Sequence, residues 1–409
     1  MPDQLSQPVP DPEPPFIRAT LPTPYPCAPL PHHTPALGLY IHVPFCRSRC
    51  HFCAFYLQIH RTDRAHDYLT ALSREIELHA ELRTFGGQRL QSVYFGGGTP
   101  TALACSELCD ILTSVHSHFG LQPDAEITVE AHPDTVTAEG LTLLTQAGFN
   151  RISFGVQSLD EGELAGMGRR SLPDTTRRAV AMARHAGFTN IGLDLIFGLS
   201  GQTFDRWQAT VAEALDLNPS HLSCYALTVE QGTRLLVDIR RGDRDAPEDA
   251  VQNAMEDEAD QQLTAAGFTR YEISNYCRPG FACRHNMLYW EGGEYLGLGP
   301  SAQSYVGGVR FGNVEDLQAY QDRLAEGCLP IAESEQLSPE QRHREALVFG
   351  LRLIEGIPAQ FVHAPLASTD YEATIAHLLK RGWLEETGGR MKLTAVGRRF
   401  ADSVAVELL

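Results

Sequence analysis

Three times along this chain a segment with helical periodicity closes on Ala-Gly-Phe plus a polar residue, and an apolar run follows. The copies are Ala147-Gly148-Phe149-Asn150, Ala186-Gly187-Phe188-Thr189 and Ala266-Gly267-Phe268-Thr269, spaced 39 and then 80 residues apart. Glycine just past a helix takes the left-handed conformation that closes it, so each copy marks a helix end leading into a strand. A repeating helix–glycine–strand module implies parallel strands joined by right-handed crossovers. Residues 39–43, 92–95, 126–130, 151–156, 191–197 and 221–227 read as six strands. Between the first two, Leu69, Leu72, Ile76 and Ala80 recur at three- and four-residue steps, the apolar stripe of a helix. The expected fold is α/β: an open parallel (β/α)6 partial TIM barrel over residues 37–265.

The flanks read differently. Residues 1–36 carry prolines from Pro8 to Pro35 and few large apolar residues, the composition of a disordered tail; Cys27, His32 and His33 in it are expected to be solvated. Residues 266–332 are read as a linking segment. Within 333–409, Ser338-Pro339 starts a helix, Ile375, Leu378, Leu379 and Trp383 suggest a second, Gly388-Gly389 turns a small hairpin and Thr394 opens a last helix. Helices followed by a hairpin predict a winged-helix-like α+β domain. Its basic and acidic residues balance, and the whole 409-residue chain has a formal net charge of −18, so nucleic acid is not expected as a partner. No apolar run reaches the roughly 20 residues of a membrane span and no signal peptide is legible, so the expected location is cytoplasmic. Ten cysteines in such a chain are expected to be thiols or metal ligands rather than disulfides.

Three of those cysteines, Cys46, Cys50 and Cys53, follow the first strand at CxxxCxxC spacing. Three thiolates occupy three corners of a 4Fe-4S cube and leave one iron open to a further ligand. A structural zinc loop is the alternative, although no second CxxC or HxxxH half follows to complete it. The other strands also end in chemistry. The second runs into Gly96-Gly97-Gly98-Thr99-Pro100, the third ends Glu130-Ala131-His132-Pro133, the fourth Gly155-Val156-Gln157 with Met167-Gly168-Arg169 beyond it, and the fifth Asp194-Leu195-Ile196-Phe197-Gly198-Leu199. In parallel α/β folds the working residues lie at these carboxyl ends.

This order of strand ends, with Tyr40-Ile41-His42-Val43-Pro44-Phe45 ahead of the cysteines, resembles the radical S-adenosylmethionine superfamily, in the branch of the anaerobic coproporphyrinogen III oxidases and heme chaperones. The resemblance implies a 4Fe-4S cluster on Cys46, Cys50 and Cys53. It assigns Tyr40, Phe52, Gly97, Gly98, Thr99, Glu130, Gln157, Arg169 and Asp194 to S-adenosylmethionine. In the superfamily an electron from a low-potential donor lets the reduced cluster cleave that ligand to methionine and a 5′-deoxyadenosyl radical. The oxidases carry a further cysteine two positions past the third, where this chain has Phe55, as the chaperone branch does. His132, Ser171 and Gln303 depart from the branch's Asn, His and His.

Tyr271 to Tyr276 and the run Cys283-Arg284-His285-Asn286-Met287-Leu288-Tyr289-Trp290 also resemble the chaperone branch, whose HNxxY element, here His285, Asn286 and Tyr289, is implicated in handling heme. Imidazole is an ordinary axial iron ligand, and Tyr and Trp offer flat apolar surface. A buried, hydrogen-bonded histidine is the structural alternative. Cys105 and Cys109, four apart on a helix, read as packing, as do Cys224 and Cys328. The expected function is that of a heme chaperone passing heme to an acceptor apo-protein such as a respiratory heme protein, with transient membrane-protein contact on delivery. The competing expectation is oxygen-independent coproporphyrinogen III oxidation in porphyrin biosynthesis.

Overall fold

The computed structural model describes residues 37–363 and 369–409; the tail with Cys27, His32 and His33 lies outside the described residues. Strands and helices alternate as β1 (Leu37–Val43), α1 (Thr62–Glu81), β2 (Leu90–Gly97), α2 (Cys105–Phe119), β3 (Leu121–Ala131), α3 (Ala138–Ala147), β4 (Arg151–Gln157), α4 (Glu161–Gly166), α5 (Pro173–His185), β5 (Asn190–Phe197), α6 (Phe204–Asp216) and β6 (His221–Ala226). The six strands lie side by side in chain order and every neighbouring pair is parallel.

Side-chain alternation decides which face is which. Leu39, Ile41, Val93, Phe95, Val129, Phe154 and Leu193 point outward and are sealed by α1, α2, α3, α5 and α6 in one apolar core. The intervening positions, among them Tyr40, Tyr94, Glu130, Ser153, Asp194 and Ser223, line a polar inner face. The helix ends follow the repeated tetrapeptide closely. At each copy the glycine is left-handed, with φ of +108°, +105° and +83°, and the phenylalanine N–H reaches back to the carbonyl of Leu144, Ala183 or Leu263. The three phenylalanines are buried.

After α7 (Arg234–Arg241) and α8 (Asp249–Ala265) the third copy behaves differently: it opens β7 (Thr269–Arg270), which pairs antiparallel with β8 (Asn275–Cys277), itself antiparallel to β6. The stretch read as a linking segment thus extends the sheet at both edges. Following α9 (Arg284–Trp290), β9 (Glu294–Leu298) joins the far side of β1 in parallel, and β10 (Gln303–Val306), β11 (Val309–Asn313) and, after α10 (Leu317–Ala325), β12 (Ile331–Gln336) continue antiparallel. The twelve-stranded sheet runs from β12 to β7 without those two pairing, so the barrel is open.

A buried carboxylate locks this extension to α1. Glu75 accepts hydrogen bonds from the Gly299 N–H (2.8 Å), Asn313 Nδ2 (2.6 Å) and Tyr320 Oη (2.6 Å). The C-terminal unit has its own apolar core, built from Leu347, Ile375, Leu378, Trp383, Met391 and Val404. It comprises α11 (Pro339–Gly350), β13 (Ile357–Pro358), α12 (Ala359–Val362), α13 (Thr369–Lys380), the hairpin β14 (Leu384–Thr387) and β15 (Arg390–Leu393), α14 (Ala395–Arg399) and α15 (Ala401–Leu408). Ser338 caps α11 with a reciprocal Gln341 bond, and Gly388-Gly389 turns the hairpin with both φ positive, the winged-helix-like pattern expected. Among the described residues no helix is long and apolar enough to cross a membrane.

Candidate functional site

The cysteine loop leaves β1 at Pro44 and is seated on the glycine run of β2. Gly98 N–H donates to the Val43 carbonyl (2.9 Å) and Thr99 N–H to the Phe45 carbonyl (2.7 Å). A Cβ on Gly98 would stand 2.7 Å from the Phe45 oxygen, and one on Gly97, at φ +104°, 2.6 Å from the His42 ring. The run therefore lacks side chains first because the loop lies against it. The far side of the loop is tied down through His51, whose N–H donates to the Met167 carbonyl (2.9 Å) and whose carbonyl accepts from Leu235 (2.8 Å).

Two of the three sulfurs are held by different side chains. Cys46 Sγ is 3.4 Å from Thr99 Oγ1, and Arg169 Nε donates to Cys50 Sγ at 3.4 Å while its Nη1 bonds the Gly155 carbonyl (2.5 Å). Burial, helped by the neighbouring thiols, pushes Cys46 up to about 11; burial also raises Cys53. Cys46 and Cys53, whose thiols resist ionisation alone and lie within electrostatic reach of Cys50, suit a cationic centre that fixes them as thiolates. A cubane places each thiolate on a different iron and needs them spread. The donor set, three cysteines on one loop with no fourth protein ligand among them, fits a 4Fe-4S cluster with one iron left open.

Beside the loop the inner face presents its polar set. Tyr94 Oη donates to Glu130 Oε1 (2.7 Å), and Ser223 and Ser153 donate to Asp194 Oδ1 (2.7 and 3.1 Å). Burial lifts Glu130 to about 7, with Asp194 adding to the rise and Arg151 opposing it; burial also raises Asp194. Gln157 sits in a bulge of β4 with φ +69°, which turns its side chain out of the strand alternation toward Gly155 and Arg169. Tyr40, Gly97, Gly98, Thr99, Glu130, Gln157, Arg169 and Asp194 thus gather at the carboxyl end of the sheet. Phe52 stands at the rim, packed on Leu164, Met167, Ile196 and Leu227.

Where the sequence departs from its branch at His132, the structure supplies an equivalent: Nδ1 accepts from the Asp134 N–H (3.1 Å), the capping bond an asparagine oxygen makes. Burial and then Arg169 and Arg47 hold its pKa down to about 3, which keeps that nitrogen an acceptor. Phe55, by contrast, is 68% exposed.

The comparisons with known proteins accord with this geometry. A model of the radical SAM superfamily matches residues 40–214, and one of the HemN C-terminal domain matches 337–400. A heme chaperone HemW of Mycobacterium tuberculosis is 39% identical over 385 residues, covering 93% of this chain and 96% of the relative. The chain belongs to the heme chaperone HemW family. HemW of Escherichia coli is 32% identical, covering 90% of this chain and 97% of that one. The solved coproporphyrinogen III oxidase (HemN) from Escherichia coli, a radical SAM enzyme, superposes with a TM-score of 0.80 at 25% identity over 91% of this chain and 90% of its own.

Within this HemW-family chain the HNxxY run is not at the cysteine loop. It forms α9, which closes the amino-terminal floor of the barrel. His285 is 1% exposed; its Nδ1 pairs with Ser92 Oγ (2.9 Å), its Nε2 with Tyr289 Oη (2.8 Å), and its ring stacks on Tyr94. Both ring nitrogens are engaged and burial lowers the pKa to about 3, so His285 is a neutral structural imidazole rather than an open axial ligand. Tyr289 is spent on the same bond, and Asn286 lies between them on α9.

Sequence reasoning passed over Tyr94, Ser153, Ser223 and Arg151. Arg151, 2% exposed on the inner face, is the guanidinium that faces Glu126, Glu130 and Asp194. The signal that finds them is period-two alternation: polar residues at inner positions of strands otherwise built for burial.

Proposed function

We propose that this protein binds heme and delivers it to an acceptor apo-protein, in the cytoplasm, carrying a 4Fe-4S cluster on Cys46, Cys50 and Cys53 with S-adenosylmethionine on the open iron. The observation that carries the reading is the 39% identity to a heme chaperone HemW over nearly the whole of both chains. Phe55 supports it, standing where the oxidases have their further cysteine. Tyr40, Gly97, Gly98, Thr99, Glu130, Gln157, Arg169 and Asp194 are the proposed S-adenosylmethionine contacts, with Phe52 at the rim. When bound, the cluster supplies low-potential electron transfer to its ligand. The chain's own residues would orient that ligand: Glu130 and Asp194 would offer it carboxylate acceptors, and Arg169 ties the Cys50 sulfur to the β4 bulge. A low-potential electron donor and an acceptor such as a respiratory heme protein, reached through transient membrane-protein contact, complete the proposal.

The test is transfer. Hemin-loaded protein, with and without reconstituted cluster, is mixed with an apo-cytochrome, and the acceptor's spectrum is followed. Transfer is expected; conversion of coproporphyrinogen III to protoporphyrinogen IX in the presence of S-adenosylmethionine and reductant would overturn the reading in favour of an oxidase.

A further inference from the structure

If His285 faces inward with both nitrogens engaged, heme needs another seat. On the outer side of α9 a cavity of about 350 Å³ opens between the barrel floor and the C-terminal unit. That is within the roughly 300–1,000 Å³ of small-molecule sites. One wall is Tyr271, Met287 and Trp290; the opposite wall is Ile354, Ile357 and Phe361. The lining is mainly apolar and aromatic, so water gains little there and a flat apolar ligand gains much. A second cavity, beside Asp174, Arg177, Arg206 and Glu213, is charged and offers a macrocycle no comparable surface.

The cavity persists for identifiable reasons. Its two walls are pinned at one end, where Ile354 N–H donates to the Tyr271 carbonyl (3.1 Å) and Glu272 bridges to Leu353. Trp290 is held upright by the Arg352 guanidinium, 4.7 Å from its ring centre. At the rim Arg390 is oriented by its bonds to the Glu355 and Gly356 carbonyls (2.8 and 2.6 Å), and among the described residues no carboxylate forms an ion pair with it. Arg270, also on the rim, is already paired with Glu256, and Glu291 and Glu355 stand nearby, so Arg390 is the place for a ligand's negative edge.

We propose that this cavity seats an iron porphyrin, with the macrocycle between Trp290, Met287 and Phe361 and a carboxylate at Arg390. The proposal rests on the heme-delivery reading and locates its ligand. It makes the outward residues of α9 the binding surface and its inward residues, His285 and Tyr289, the support. Because the walls belong to two units with separate cores, parting those units exposes the ligand's face to an acceptor.

The test is hemin titration of the full chain, read in the Soret band, on wild type, Ala346→Trp, which fills the cavity, and Met287→Glu, which puts a charge in its wall. Affinity at least tenfold weaker in both, with S-adenosylmethionine binding unchanged, is expected. Wild-type affinity in a folded variant of either kind overturns the cavity while leaving heme delivery standing; a wild type that binds no hemin overturns heme delivery itself. Hydrogen exchange of the wild type needs no variant: hemin should protect residues 269–271, 284–291 and 350–361, and protection confined to other segments would remove the cavity as the seat.

Discussion

At the scale of single residues, two side chains separate what motifs state from what packing does. Arg169 is assigned to S-adenosylmethionine by resemblance, yet its bonds run to Cys50 Sγ and the Gly155 carbonyl, so it joins the cluster loop to β4. Arg169→Met is expected to weaken S-adenosylmethionine binding at least tenfold and to alter the reconstituted cluster's absorbance, with circular dichroism unchanged; equilibrium dialysis and visible spectra check this. Glu75 carries no motif. Burial lifts its carboxyl from about 4.5 to about 7, against the pull of Tyr320, Gly299 and Asn313. Between those values the folded chain holds a proton that the unfolded chain has lost, so the stability gained is full below pH about 4.5 and lost as pH rises through about 7, by roughly 3 kcal/mol. Glu75→Gln should reduce that slope in urea melts at pH 5 and pH 7.5. Glu130, lifted to about 7 as well, keeps its own part of the slope.

At the scale of elements, the same residue type serves two ends. Gly187, at φ +105°, has open space where a Cβ would be, so Gly187→Ala meets backbone strain alone and is expected to lose about 1 kcal/mol in a urea melt, with cluster loading intact. Gly98 has an ordinary φ but no room beside the Phe45 oxygen. Gly98→Ala should displace the cysteine loop, lowering iron per chain after reconstitution while the melting midpoint changes little. The repeated Ala-Gly-Phe made the helix ends legible because the closing bonds are local. The same tetrapeptide implied a parallel strand after every copy, and the third copy departs from that: at Thr269 it enters an antiparallel edge, because strand direction is set by the pairing partner and not by the helix end.

At the scale of the whole molecule, the barrel's core and the C-terminal core share no buried residue, and the units meet through Ile273, which packs on the C-terminal core, and through polar ties, among them Arg310 with Glu345 (2.7 Å) and Arg399 with Asp257 (2.6 Å). A chain ending at Leu337 is expected to fold and load its cluster, measured by iron content and circular dichroism, but to lose heme transfer. The sequence by itself determined the six parallel strands, the cysteine loop after the first of them and the polar residues at the strand ends, since periodicity, glycine closure and cysteine spacing act within a few residues of the chain. Only the tertiary structure decided that residues 269–336 build half the sheet, that Glu75 anchors them, that Arg151 faces three inner carboxylates and that His285 turns inward. Those outcomes depend on groups far apart in the chain competing for the same partners and the same space, and no local pattern records who wins.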